Sequence, residues 1–371
     1  MNKKPKALFT FLSLLLIINL ACASLASATA TPIPTNTPKP TNTSAPTATP
    51  ITLFVDGTAE DALEETIFEH VTGAFEFNAP KGWTIEEYDN DVYIESPESV
   101  FFYVAVTNTG YELSADEYER FIQNSEDFFY GYRDGFQETL REANESISLK
   151  LIEKTYPVDG ETYFARSIYQ KFGQAIFIVE MFGSQNDILS NPSYDQIFSA
   201  FFQSLTVDSG AATSLPVYAL SWTFQTADQA YTFQAPQGWK YDYIEINGVF
   251  KSVEELISPD EHAVMQVFSS FDTVNYGADD HLNYLEGYTE RLLKSDYSGN
   301  SNDTQILNKD TKNGKMLLQW KSNTTSINGY ALIIEAKDSS EPLLILIFWD
   351  QPFDEIYNQP ALDILNSLFL N

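Results

Sequence analysis

Few residues in this chain have the type and spacing to do chemistry: three histidines, one cysteine and scattered carboxylates. His70 lies on an expected strand and His262 just before another, and neither has a cysteine or second histidine at ligand spacing. Both read as solvated or edge histidines. Asp279-Asp280-His281 is the densest cluster of ligand types. Hard cations need several oxygens at once, and an imidazole favours a transition metal. The cluster opens an expected helix, however, where aspartate is favoured as a cap and by the helix dipole. Asp89-Asn90-Asp91 begins like a calcium loop but lacks the downstream glycine and bidentate glutamate, so it reads as a turn. Glu64-Glu65 and Glu86-Glu87 read as solvated faces. Nucleophile elbows, phosphate loops and zinc-protease motifs are absent from the sequence. The expectation is no catalytic set, no metal site and no cofactor.

The one cysteine, Cys22, sits in an N-terminal targeting segment. No disulfide can form in a mature chain without it, and thiolate zinc sites are excluded. Lys3, Lys4 and Lys6 precede an uncharged apolar run from Leu8 to Ile18, and small residues follow. This pattern is a secretory signal, too short to span a membrane comfortably. Two processing routes are open. Leu20-Ala21-Cys22 resembles the end of a bacterial lipobox, in which Cys22 would be acylated, although Asn19 stands where leucine is usual. The other route is cleavage after Ala26-Ser27-Ala28. Residues 29–50 are rich in proline and threonine, with Lys39 as the only charge. Such a segment cannot bury a core; in polyproline II it would reach roughly 60–70 Å.

The remaining residues hold enough apolar sequence for two domains, and the full chain of 371 residues carries a net charge of -31. That charge repels phosphate backbones and anionic headgroups, so nucleic acid is excluded as a partner and membrane contact would come only through a lipid at Cys22. Phe75-Glu-Phe-Asn-Ala-Pro-Lys-Gly-Trp83 returns 156 residues later as Tyr231-Thr-Phe-Gln-Ala-Pro-Gln-Gly-Trp239. A repeat at this spacing marks two whole domains. We read residues 1–28 as signal, 29–50 as disordered linker, 51–208 as the first domain, 209–216 as a small flexible linker and 217–371 as the second domain. Phe77, Pro80, Gly82 and Trp83, with Phe233, Pro236, Gly238 and Trp239, form the structural signature: core anchors around a strand-breaking turn.

In each copy an opening hairpin and strands precede a long helix, a strand meander and a C-terminal helix. Ser114-Ala-Asp-Glu117 is a capping box, and Tyr118, Phe121, Ile122, Phe128, Tyr132 and Phe136 follow at helical spacing. The second meander reads as the longer, with four strands against three. Pro360 is placed in the first turn of the last helix. The order predicts an α+β class, an antiparallel sheet with the long helix and the C-terminal helix packed on it.

The signature, the capped helix about forty residues on and the closing meander and helix resemble the Mog1/PsbP-like superfamily. The resemblance covers residues 66–208 and 222–370. It implies an α/β/α sandwich in each copy, and binding or accessory roles without catalysis. No position matches a known ion or partner site of the family.

The functional expectation is an exported, non-enzymatic binding or accessory protein of the cell envelope, lipid-anchored if Cys22 is acylated, whose partner is a protein or envelope component. The alternative is a cation- or small-ligand-binding accessory module, and a hydrolase assembled from distant Ser, His and Asp residues comes third. Tyr111, Tyr130, Tyr241, Tyr243, Tyr276 and Tyr297 fall off the apolar stripes and could serve a binding surface.

Overall fold

The structure is a computed structural model and describes residues 59–370, apart from 227–228, 230, 247, 272–280, 295–302 and 336–341. The expected signal, the linker, Cys22, Asp279, Asp280, Tyr276 and Tyr297 lie outside the described residues. Among the described residues, no helix is long and apolar enough to cross a membrane.

In the first copy the chain runs β1 (Leu63–Glu69), β2 (Phe75–Pro80), β3 (Thr84–Glu87), β4 (Asp91–Glu95), β5 (Phe101–Asn108) and α1 (Ala115–Glu126). It continues through β6 (Gln137–Asn144), β7 (Leu149–Val158), β8 (Glu161–Phe172), β9 (Ala175–Ser184), α2 (Gln185–Ser190), α3 (Ser193–Ser204) and β10 (Thr206–Val207). A short helix, α4 (Ser209–Thr213), leads into the second copy. There follow β11 (Leu220–Gln225), β12 (Tyr231–Pro236), β13 (Lys240–Glu245), β14 (Phe250–Ile257), β15 (Ala263–Phe271) and α5 (His281–Leu292). The chain closes with β16 (Thr304–Lys312), β17 (Lys315–Ser322), β18 (Ile327–Ile334), β19 (Leu343–Asp350), α6 (Asp354–Asn366) and β20 (Phe369–Leu370).

Each copy is α+β and holds a seven-stranded sheet: β3-β4-β5-β9-β8-β7-β6 in the first and β13-β14-β15-β19-β18-β17-β16 in the second. All their strand pairs are antiparallel. The opening hairpin forms a separate three-stranded sheet with the closing strand, β1-β2-β10 and β11-β12-β20. Strand residues alternate faces, so each seven-stranded sheet has two cores. One face of the first sheet buries Phe102, Val104, Phe177 and Val179 against Phe77 of β2 and Phe198 and Phe201 of α3. The other buries Tyr103, Ile152 and Ile178 against Tyr118, Phe121 and Ile122 of α1.

The Ser114 capping box forms, with Ser114 Oγ accepting from Glu117 N–H and Glu117 accepting from Ser114 N–H. The helix expected through Phe136 ends at Glu126 instead. A π turn follows over Asp127–Gly131, and Gly135 takes φ +95° before β6 begins. The meander therefore has four strands in both copies, and the second is not the longer. Gln137-Glu-Thr-Leu-Arg-Glu-Ala-Asn144 shows no apolar alternation because β6 is a polar edge strand. Pro360 lies inside α6, not in its first turn, because the helix already starts at Asp354.

The segment 209–216 also differs from a loose linker. Asp208 caps α4, and Asn108 Nδ2 donates to the carbonyls of Thr213 and Leu215. Asn108 also bridges Val217, and its carbonyl accepts from Tyr218 N–H.

Candidate functional site

The two copies dock head to tail. α1 of the first lies on the signature turn of the second: Asn124 Nδ2 donates to the Gly238 carbonyl at 2.8 Å, and Arg120 Nε to the Pro259 carbonyl at 2.6 Å. Gly238 has φ +82°, and a Cβ there would stand 2.2 Å from the Phe121 ring, so only glycine admits this contact. Asp260, itself buried, accepts from Tyr111 OH at 2.7 Å and Tyr357 OH at 2.5 Å, joining the copies. Burial, then the hydrogen bond to Asp260, pushes the Tyr111 phenol far up. The signature turn of the first copy has no such cover. Gly82 is exposed at φ +76°, with nothing within 4 Å of a Cβ. Trp239 is therefore fully buried, whereas Trp83 is half-buried against Phe102 and Tyr194. Phe77 and Phe233 are buried, and Pro80 and Pro236 end β2 and β12.

The π turn behind α1 divides its side chains between two environments. Phe128 turns outward and stacks on Trp222 at 4.0 Å and 9°. Tyr130 turns inward to a charged cluster between α1 and the first sheet. There Lys154 is fully buried, with Nζ 2.6 Å from both oxygens of Glu126, 2.6 Å from Ser167 Oγ and 3.2 Å from Glu180 Oε2. Tyr169 OH donates to Glu126 Oε1 at 2.7 Å, and Tyr130 and Ser167 donate to Glu180. Lys154 Nζ also lies 4.1 Å from the Tyr130 ring centroid. Period-two geometry brings these residues together: Lys154, Ser167, Tyr169 and Glu180 share the sheet face beneath α1, and Glu126 closes the helix above them. Burial pushes the Glu126 carboxyl up against the opposing pull of Lys154. Burial likewise raises the Tyr130 and Tyr169 phenols.

Between the π turn and the second copy lies an open cleft of about 640 Å³. Phe128, Phe129 and Tyr132 form one wall, Phe224 and Tyr241 the other, and Arg133, Lys240 and Asp242 supply charge. Tyr132 is 69% exposed. Arg133 lies over the Tyr132 and Tyr156 rings, and its buried Nε has no hydrogen-bond partner among the described residues. Burial, then Glu254, pushes the Tyr241 phenol up to about 12.

The residues singled out from sequence fall elsewhere. His70 is buried, not solvated: Nε2 donates to the Tyr88 carbonyl at 3.0 Å, Nδ1 accepts from Thr72 Oγ1 at 2.7 Å, and the ring stacks on Phe75. His262 is part-buried, 2.8 Å from Asp350 and stacked on Phe353. His281 begins α5. Asp89-Asn90-Asp91 is the turn into β4, with Asp91 accepting from Tyr103 OH. Among the described residues no three His, Cys, Asp or Glu side chains converge as a metal site. Of the six tyrosines, Tyr111 reaches the junction, Tyr130 the buried cluster and Tyr241 the cleft, while Tyr243 is exposed on β13. Sequence reasoning missed the Lys154 cluster. Its signal was Glu180, a lone charge inside the apolar run Ala175-Ile-Phe-Ile-Val-Glu-Met-Phe182.

No family model matches the sequence, and no curated protein does. Several solved structures are similar in fold. PsbP of the cyanobacterium Synechocystis aligns over 43% of this chain and 96% of its own, at 12% identity and a TM-score of 0.32. LpqN of Mycobacterium tuberculosis, described as involved in cell envelope biogenesis, aligns over 40% and 92%, at 9% identity and a TM-score of 0.27. The immunity protein TplEi of Pseudomonas aeruginosa spans 78% of this chain and 97% of its own, at 10% identity and a TM-score of 0.23. Likenesses at these scores carry no function across.

Proposed function

We propose that the chain is an exported, non-enzymatic binding protein of the cell envelope, built from two docked Mog1/PsbP-like domains, with its ligand in the cleft between them. The cleft carries this reading. Its walls are aromatic side chains of both copies, and Arg133 lines it, with a buried Nε that has no partner among the described residues. Ligand sites favour domain junctions, with apolar and aromatic walls and a few placed polar groups. Two of the histidines are held in place by structural partners, His70 by Tyr88 and Thr72 and His262 by Asp350.

A photo-crosslinking residue at Tyr132 of the full chain, produced in an exporting bacterium, tests the reading. Fractionation should place the protein outside the cytoplasm. A discrete envelope adduct should form at Tyr132 and be lost on Arg133→Ala. The same residue at Ile147, exposed near the start of α1 where Tyr118 OH meets Ser148, should give none. Equal adducts at both positions, or none at either, overturn the cleft as the site.

A further inference from the structure

We infer that Lys154 and Glu126 join in an intramolecular amide cross-link, formed without an enzyme, that ties the end of α1 to the middle of the first sheet. Three observations meet here. The amine nitrogen faces both oxygens of one carboxyl group at 2.6 Å, so the carboxyl carbon is in reach. A second carboxyl, Glu180, stands 3.2 Å from the same nitrogen and can carry a proton between the reacting groups. Lys154 is fully inaccessible and Glu126 nearly so, which excludes the water that would hold both groups ionised.

The step balances without an oxidant or co-reactant. One proton passes from the Lys154 ammonium to the Glu126 carboxylate, leaving a neutral amine and a neutral acid. Burial favours that exchange because it removes two charges from a low-dielectric site. Nζ attacks Cδ of Glu126, and the carbonyl electron pair moves onto the oxygen that Tyr169 OH faces at 2.7 Å. Glu180 takes a proton from the nitrogen and delivers it to the departing hydroxyl. The carbon–oxygen bond breaks, water leaves, the amide remains and Glu180 returns to its starting state. Fixed groups at this separation reach effective concentrations on the order of 10⁵ M or more, enough to drive a condensation that fails in free solution.

The second copy has neither the lysine nor the second carboxyl of this device on its sheet. Ser167 pairs with both Ile152 and Glu180, as Ala331 pairs with both Leu318 and Leu346. By this register Trp320 takes the place of Lys154 and Leu346 that of Glu180. A chain whose one cysteine is Cys22 has no disulfide to staple its head, and the cross-link would serve in its stead.

Mass spectrometry of the purified full chain decides the matter. The protein should be one water lighter than its sequence, trypsin should fail to cut after Lys154, and one branched peptide should contain both Glu126 and Lys154. Glu180→Gln should restore the full mass and the linear peptides. Should that variant not fold, Glu126→Gln serves instead, because the same attack then expels ammonia in place of water. A wild-type chain of full mass that is cut after Lys154 overturns the inference.

Discussion

The space between sheet and long helix is filled in opposite ways in the two copies. In the first it holds Lys154, Glu126, Glu180 and Ser167 under two tyrosines. In the second the same space holds Met316, Leu318, Trp320, Ala331, Ile333 and Leu346, closed by Leu285 and Leu293. Gly329 admits the Trp320 indole, since a Cβ there would lie 2.8 Å from it. The fold therefore does not require charge at this place. An apolar filling suffices for stability, and buried ion clusters are poor stabilisers compared with well-packed apolar sets. The first copy's cluster calls for a role beyond stability.

Swapping the fillings breaks or sharpens this comparison. Lys154→Ala leaves two buried carboxylates uncompensated and should cost about 3–5 kcal/mol, read from urea unfolding. Importing the second copy's set, Lys154→Trp with Ala165→Gly, Ser167→Ala, Glu180→Leu and Glu126→Leu, should instead give a folded protein more resistant to urea than Lys154→Ala. A failure to fold would show that the two spaces differ in shape as well as in charge. Trp320→Ala should cost a similar 3–5 kcal/mol through the cavity it leaves.

The signature glycines give the next comparison. Gly238→Ala forces a methyl into the Phe121 ring at a left-handed φ and should cost 3 kcal/mol or more while opening the junction, which small-angle scattering would show. Gly82→Ala meets open space and should cost only the backbone term, roughly 1–2 kcal/mol. Equal costs would mean that the docking seen here contributes nothing.

The domain repeat was legible in sequence because a turn that demands φ above zero after a proline leaves a fixed mark: Pro80 with Gly82, Pro236 with Gly238. The docking was not. Gly82 and Gly238 are identical as letters, and only the second has Phe121 upon it. The cluster was missed because Lys154 in Leu149-Lys-Leu-Ile-Glu-Lys-Thr looks like one of several solvated strand lysines, and its partners lie on a helix end and a strand far along the chain. The π turn was hidden as well, since Phe128, Tyr132 and Phe136 keep helical spacing while serving other surfaces.

At the cleft, Tyr132→Ala should leave stability within about 0.5 kcal/mol, as at an exposed site, while weakening ligand capture. The smallest effect is a matter of pH. Burial raises the carboxyls of Asp91 in the first copy and Glu255 in the second. The folded protein then holds these protons more tightly than the unfolded chain, so stability falls as pH rises from the ordinary carboxylate range through the raised values. Asp91→Asn and Glu255→Gln should each flatten the fall of the urea midpoint with pH. An unchanged slope would remove these groups as its cause.

The anchoring of 209–216 by Asn108 has a consequence for the chain's continuity. The halves meet through Phe121, Asn124, Tyr111, Arg120 and Phe128, on surfaces that do not need the connector's backbone. A protease site placed at 214–216 and cut after folding should yield two fragments on a denaturing gel but one particle in sedimentation. The covalent connection would then serve to supply both halves in equal number, while cohesion resides in the seam.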